Sequence, residues 1–180
     1  MENKSVSSFK TALNYGLITA ALLIVYGLVL FLLDVGFESI KNFGYLSYVI
    51  VLVMLILGIR SQKIADGGFI SYGKAFTVSF LIVLIAFLIS NIYNYVYFTY
   101  IDPGMTEEIA NQAVASAEES IRERNPDATR EDMEMAISMT EKFTTPMWMT
   151  IWGFVMSAIV GTIVSLIIPI FMMKKNPTDA

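Results

Sequence analysis

The chain has 180 residues, 56% of them hydrophobic and 16% charged, and a formal net charge of −4. A soluble domain is typically about 45–50% apolar and about 25% charged, so both departures point to the bilayer. There is no cysteine and no histidine, which excludes disulfides, thiol catalysis, histidine proton shuttling, and haem or zinc ligation through those side chains.

The apolar residues are bunched into four long runs, and too little chain remains for a separate globular domain of ordinary size. The expected fold is therefore all-α: one polytopic membrane domain over residues 1–180, with four transmembrane helices. A hydrocarbon core of about 30 Å takes roughly 20 helical residues to cross. Thr11 to Leu33 has no charge over 23 positions, and Phe43 to Ile59 offers 17 between Lys41 and Arg60. Ala75 to Ile101 gives 27, and Met147 to Met173 another 27 closed by Lys174 and Lys175. The second run is near the lower limit for crossing; its alternative is a re-entrant or buried helix. The first is too long for the apolar region of a cleaved signal peptide, which leaves it as a span.

Basic residues orient the spans. Lys4, Lys10, Arg60, Lys63, Lys74, Lys174 and Lys175 fall in short segments on one side. The first loop carries only Lys41, and the four bases between the third and fourth spans are spread along a segment dominated by acids. Both termini are thus expected on the cytoplasmic side, and the Asn3-Lys4-Ser5 sequon is discounted. Tyr45, Tyr48, Tyr93, Tyr95, Tyr97, Tyr100, Trp148 and Trp152 cluster at the outer ends of helices, where amphipathic rings prefer the headgroup level.

Residues 102–146 carry eleven carboxylates and four bases, yet their pattern is helical. Ile109, Ala113, Val114, Ala117 and Ile121 share one helix face. That helix starts either at Asp102-Pro103 or at Thr106-Glu107-Glu108, and Asn125-Pro126-Asp127 interrupts it. A second helix is expected from Thr129, where Thr129-Arg130-Glu131-Asp132 is close to a capping box. Met133, Ala136 and Ile137 form its apolar positions, with Met135, Met139 and Phe143 on an adjoining stripe. The prediction is an extracytoplasmic acidic hairpin whose apolar faces need a cover: each other, the membrane surface or a partner. The acids lack calcium-loop spacing. Thioethers bind cuprous ion, but Met133, Met135 and Met139, with Met147 and Met149, are good helix formers and adaptable contacts. No metal and no cofactor are expected.

No Asp, Glu, Lys, Arg or His lies inside the spans away from their ends, which argues against a proton-coupled transporter and intramembrane acid–base catalysis. Gly153, Ser157, Gly161 and Ser165 recur at every fourth position of the last span, and Ala12, Gly16 and Ala20 repeat this in the first. Such spacing lets helices approach closely, whether within the chain, in a second copy or in another protein. Asn14, Asn91 and Asn94 are candidate interhelical hydrogen bonders; Asn91 and Asn94 also suit a polar groove.

Asp66-Gly67-Gly68-Phe69-Ile70-Ser71-Tyr72-Gly73-Lys74-Ala75-Phe76 combines a turn signal with a helix entry and lacks phosphate-loop spacing. Together with Ile101-Asp102-Pro103, the acidic excursion, Thr145-Pro146 and the small-residue last helix, it resembles the domain-of-unknown-function family numbered 4199. That resemblance implies small four-helix inner-membrane proteins of Bacteroidetes-type bacteria, without an established activity. It also implies an anchor or accessory subunit beside membrane glycosyltransferases acting on polyprenyl-phosphate.

The leading functional expectation is a non-catalytic membrane subunit that scaffolds, anchors or regulates a partner. Its partners would be the lipid bilayer and another membrane protein or a second copy, and no nucleic acid. Two alternatives remain. One is a small transport or lipid-handling protein with a groove near Asn91 and Asn94. The other is an enzyme using two outer carboxylates about 5–10 Å apart.

Overall fold

In lipid every backbone polar group must be satisfied within the chain, so an apolar run of this length becomes a helix. The computed structural model describes residues 7–33, 35 and 37–174, and for 37–42 the backbone alone. Lys4, Lys175 and the Asn3-Lys4-Ser5 sequon lie outside the described residues, as does the Lys41 side chain. The helices are α1 (Ser8–Leu32), α2 (Phe37–Ala65), α3 (Tyr72–Val96), α4 (Pro103–Arg124), α5 (Arg130–Phe143) and α6 (Pro146–Met172). Among the described residues four helical stretches are long and apolar enough to cross a membrane: Ser8–Leu32, Phe43–Ala65, Tyr72–Ile101 and Pro146–Met172. The second continues past Ile59 to Ala65, which carries Arg60, Gln62 and Lys63 into the helix.

The chain forms two compact units. One holds the described residues up to Ser90 and from Phe154 onward; the other is Asn91–Gly153. They are taken in turn.

In the first unit α3 is the common partner of the other three helices. A Cβ on Gly16 of α1 would meet Ile85 Cβ at 2.8 Å and the Ile82 carbonyl oxygen at 3.3 Å. One on Gly58 of α2 would run into Ile82 Cδ1, and one on Gly161 of α6 into Val83 Cγ1 and the Phe87 ring. Lipid gives helices no hydrophobic reason to associate, so close approach at small residues supplies the packing instead. Around these contacts lies a core of Ala12, Val51, Leu55, Ile59, Ala75, Val78, Ile82, Val83 and Ile168. Much of the remaining apolar surface of the spans is exposed, as lipid-facing side chains are.

Pro169 lies inside α6 and has no N–H to give the Ser165 carbonyl one turn earlier. Ser79 Oγ of α3 is 3.3 Å from that oxygen, and also 3.0 Å from the carbonyls of Ala75 and Phe76. Its single proton is therefore shared between its own helix and the orphaned carbonyl of α6. Nearby, the Tyr72 hydroxyl donates to the Leu166 carbonyl at 3.1 Å.

Helix α2 ends in a Schellman motif. Gly67 and Gly68 have φ of 80° and 94°, and the Gly68 and Gly67 amides donate to the Lys63 and Ile64 carbonyls at 2.8 and 3.1 Å. Left-handed φ is why glycine stands there. The loop beyond is stapled to the end of α6. Ile70 and Lys174 exchange two backbone hydrogen bonds of 3.0 Å, and Lys63 Nζ donates to the Met172 carbonyl at 2.9 Å.

In the second unit α3 loosens into a π-helical turn, Tyr97–Ile101, before Asp102 caps α4. Asp102 Oδ1 accepts from the Met105 amide at 3.0 Å and Oδ2 from the Tyr97 hydroxyl at 3.0 Å. Of the two possible starts, Asp102-Pro103 is the real one. Thr106 instead donates from its hydroxyl to the Phe98 carbonyl at 3.1 Å, tying the first turn of α4 to the π turn. Thr129 and Asp132 form a capping box at α5, and α4 packs against α5.

Candidate functional site: a buried polar chain where α2 meets α3

The residues that stand out in the first unit are polar ones in an apolar setting. Gln62 belongs to the stripe Val51, Leu55, Ile59, Gln62 at helical spacing, and it is fully buried. Its Oε1 accepts from Thr11 Oγ1 of α1 at 2.7 Å. Its Nε2 donates to Asp66 Oδ1 at 3.1 Å. The same oxygen accepts from Lys74 Nζ, in the first turn of α3, at 2.8 Å. The chain thus runs from a hydroxyl through an amide and a carboxylate to an ammonium, joining α1, α2 and α3.

Burial decides how strongly this chain holds. Thr11 and Gln62 are buried, so each needs its partner: an unmet buried donor or acceptor costs about 1–3 kcal/mol. The Asp66 and Lys74 side chains are 13% and 36% exposed, so their pair gains more than an open surface bridge but less than a fully desolvated one. Among the described residues Asp66 Oδ2 is buried without a hydrogen-bond partner, and the two donors on Oδ1 supply its compensation. Chemically the four groups form a fastening. They assemble no nucleophile with a base to activate it.

Of the small residues singled out by spacing, Ala12, Gly16, Ala20, Gly161 and Ser165 are buried. Gly16 and Gly161 both meet α3, so those contacts lie within the chain. Gly153 and Ser157 are half-buried. Asn91 is 7% exposed, and its Oδ1 would stand 3.1 Å from a Cβ on Gly153, so two sequence-selected positions meet there. Asn94 and Asn14 are exposed. Among the described residues Tyr93 OH and Thr99 Oγ1 find no hydrogen-bond partner, though both are buried.

In the second unit most of the acids remain on the outside, Asp102 and Glu118 being half-buried. Glu107, Glu108, Glu119, Glu123, Asp127, Glu131, Asp132, Glu134 and Glu141 are exposed. Among the described residues no three acidic side chains converge as a metal site would require. Hydrogen bonds from the Thr129 hydroxyl and then the Thr129 amide hold the Asp132 carboxyl below the usual carboxylate range.

Sequence reasoning passed over the Thr11–Gln62–Asp66–Lys74 chain because its members stand at the ends of the runs. The available signal was the helical register of Gln62 with Ile59 and Leu55. Asp66 follows one turn later, and Pro169 marked a carbonyl in need of a donor.

A small, all-helical protein with four membrane-span helices and a short acidic helical insertion is the class these features define. The match to the family described as protein of unknown function (DUF4199) covers residues 14–174, and the chain belongs to that family. No curated protein and no solved structure matches the chain.

Proposed function

We propose that this protein is a non-catalytic membrane subunit that scaffolds, anchors or regulates a partner membrane complex. The observation that carries the reading is the use of the small-residue positions. Gly16, Gly58 and Gly161 are spent on α3, and the polar chain closes on α1, α2 and α3. The span helices form a self-contained platform, and the distinctive free surface is the carboxylate-rich exterior of α4 and α5. A basic surface on a partner complements it. In this reading the termini are cytoplasmic, α4 and α5 are extracytoplasmic, and the membrane is a bacterial inner membrane. A membrane glycosyltransferase acting on polyprenyl-phosphate is the partner class that the family resemblance suggests.

The chain has no cysteine, so single cysteines report cleanly. Glu119→Cys, cross-linked in native membranes, is expected to give one defined adduct that Glu118→Lys with Glu123→Lys abolishes. An adduct that survives both reversals, or none from any exposed α4 position, overturns the reading.

A second reading, a small transport or lipid-handling protein, draws on the burial of Asn91 and the unpartnered buried hydroxyls of Tyr93 and Thr99. Water-soluble maleimide reacting with Asn91→Cys in sealed vesicles supports it; complete protection argues against a hydrated groove.

A further inference from the structure

On α5, an apolar stripe is left uncovered. Met135, Met139 and Phe143 are 60%, 56% and 44% exposed. At about 100° per residue they span roughly 80° of the helix circumference. The half-buried positions Met133, Ala136, Ile137 and Thr140 occupy the neighbouring arc, and α5 packs on α4. Glu134 and Glu141 project on the far side and are exposed. Beyond the capped first turn, whose Asp132 falls on the same arc, the helix therefore has three surfaces: one against protein, one for water, and one apolar face that neither explains.

The stripe is continuous with the apolar surface that opens α6. Only Thr144 and Thr145 separate the two helices, and two residues reach at most about 7 Å. Phe143, the foot of the stripe, meets the Trp148 ring edge-on with centroids 5.5 Å apart. Met147, Ile151 and Trp152 in the first turns of α6 are themselves exposed apolar residues, at the start of a membrane-span helix. Lys142, beside the foot of the stripe, is exposed, and an ammonium on a flexible apolar stem reaches phosphate while its methylenes stay in the interface.

We propose that α5 is an interfacial helix: Met135, Met139 and Phe143 are immersed in the headgroup–acyl boundary of the bilayer that α6 enters, with Glu134 and Glu141 turned to water. The occupant of the stripe is the lipid surface. Tethering decides for lipid over a protein partner. The foot of the stripe is held within two residues of a span, edge-on against the Trp148 ring. An amphipathic helix beginning at that level lowers its free energy by lying along the boundary. This goes beyond the scaffold reading and survives its failure, because it concerns lipid and not a partner.

The test uses the full chain in nanodiscs holding one copy, with a nitroxide on a single cysteine at 135, 139, 143, 134 or 141. Power saturation measures access to oxygen, which partitions into lipid, and to a water-soluble nickel chelate. Expected is an oxygen access several-fold above that of the chelate at 135, 139 and 143, and the reverse at 134 and 141. Equal chelate access at 139 and 134 would mean that the stripe lies in water, and the proposal fails. Low access to both reagents at 139 would mean a protein cover, which also overturns it. The five positions are exposed, so the set keeps its contrast even where one label disturbs folding.

Discussion

The two units of this chain are held together by opposite means. In the first, helices of nearly uniform hydropathy are fixed by backbone approach at Gly16, Gly58 and Gly161 and by a few buried hydrogen bonds. In the second, no residue of α4 or α5 is fully buried, and the order comes from termini: the Asp102 cap, the Thr106–Phe98 bond and the Thr129–Asp132 box. Helix α3 belongs to the first up to Ser90 and to the second beyond it, where its π turn lies. The lesson is that uniformly apolar spans and short amphipathic helices demand different fasteners. In lipid, surface hydrophobicity does not discriminate inside from outside, so size and hydrogen bonds do. A short helix of mixed polarity survives by its caps and its amphipathic face.

The sharpest way to break that contrast is at Gly161. Gly161→Leu drives a side chain into Val83 and Phe87, and overpacking on that scale is expected to cost about 3 kcal/mol. Size-exclusion thermal challenge in mild detergent should show a collapse of the folded peak well below the wild-type temperature. Gly153→Ala, facing only the Asn91 amide oxygen, should shift it by far less. If both behave alike, close packing on α3 does not govern the first unit.

The polar chain comes next. Gln62→Leu removes the acceptor for Thr11 and a donor to Asp66, and about 1–3 kcal/mol should be lost. Thr11→Val in the Gln62→Leu background should restore part of this, since it deletes the orphaned hydroxyl. Additivity of the two substitutions in a thermal-stability cycle would show that the bond contributes nothing.

A smaller effect is expected at the proline. With Pro169 present, Ser79→Ala removes the donor nearest the Ser165 carbonyl and should cost about 1 kcal/mol. In a Pro169→Ala background the helix supplies its own N–H, and the same Ser79→Ala should cost close to nothing. Exchange of the new backbone amide at position 169 in that background reports whether the helical bond has formed.

The smallest effect belongs to the second unit and is read by pH. Asp132 has its folded-state pKa depressed by Thr129, so its stabilisation of α5 is present above the ordinary aspartate range. It is lost as pH falls through the lower, folded value, below about pH 4. The protection of the Asp132 amide, measured against its intrinsic exchange rate at each pH, should fall over that window in wild type and be low throughout in Thr129→Ala. The first unit should show no matching change at Thr11 or Thr19, whose contacts involve no titrating partner directly.

Local information carried much of the architecture. The four charge-poor runs became four span helices because a backbone in hydrocarbon has no other way to meet its own hydrogen bonds. Asp66-Gly67-Gly68 and Thr129 to Asp132 are motifs whose partners lie within a few residues, so their spacing in the sequence is their geometry. Between the two candidate starts of α4 the sequence was ambiguous. The π turn decided it, because Asp102 is reached by Tyr97 and Met105 together while Thr106 is drawn back to Phe98.

That the chain is helical, and that four of its helices suit lipid, follow from the order of residues; the extension of α2 past Ile59 to Ala65 and the choice of start for α4 do not. What the small residues meet does not: Gly16 and Gly161 pack on α3 rather than on a second copy, and only the assembled helices reveal it. The same holds for the burial of Gln62 between Thr11 and Asp66, and for Ser79 answering the carbonyl orphaned by Pro169. The physical reason is common to all three. A span is apolar on the face that meets protein and on the face that meets lipid, so periodicity cannot reveal which side is inside. Partners 51 to 86 residues apart leave no local trace of one another.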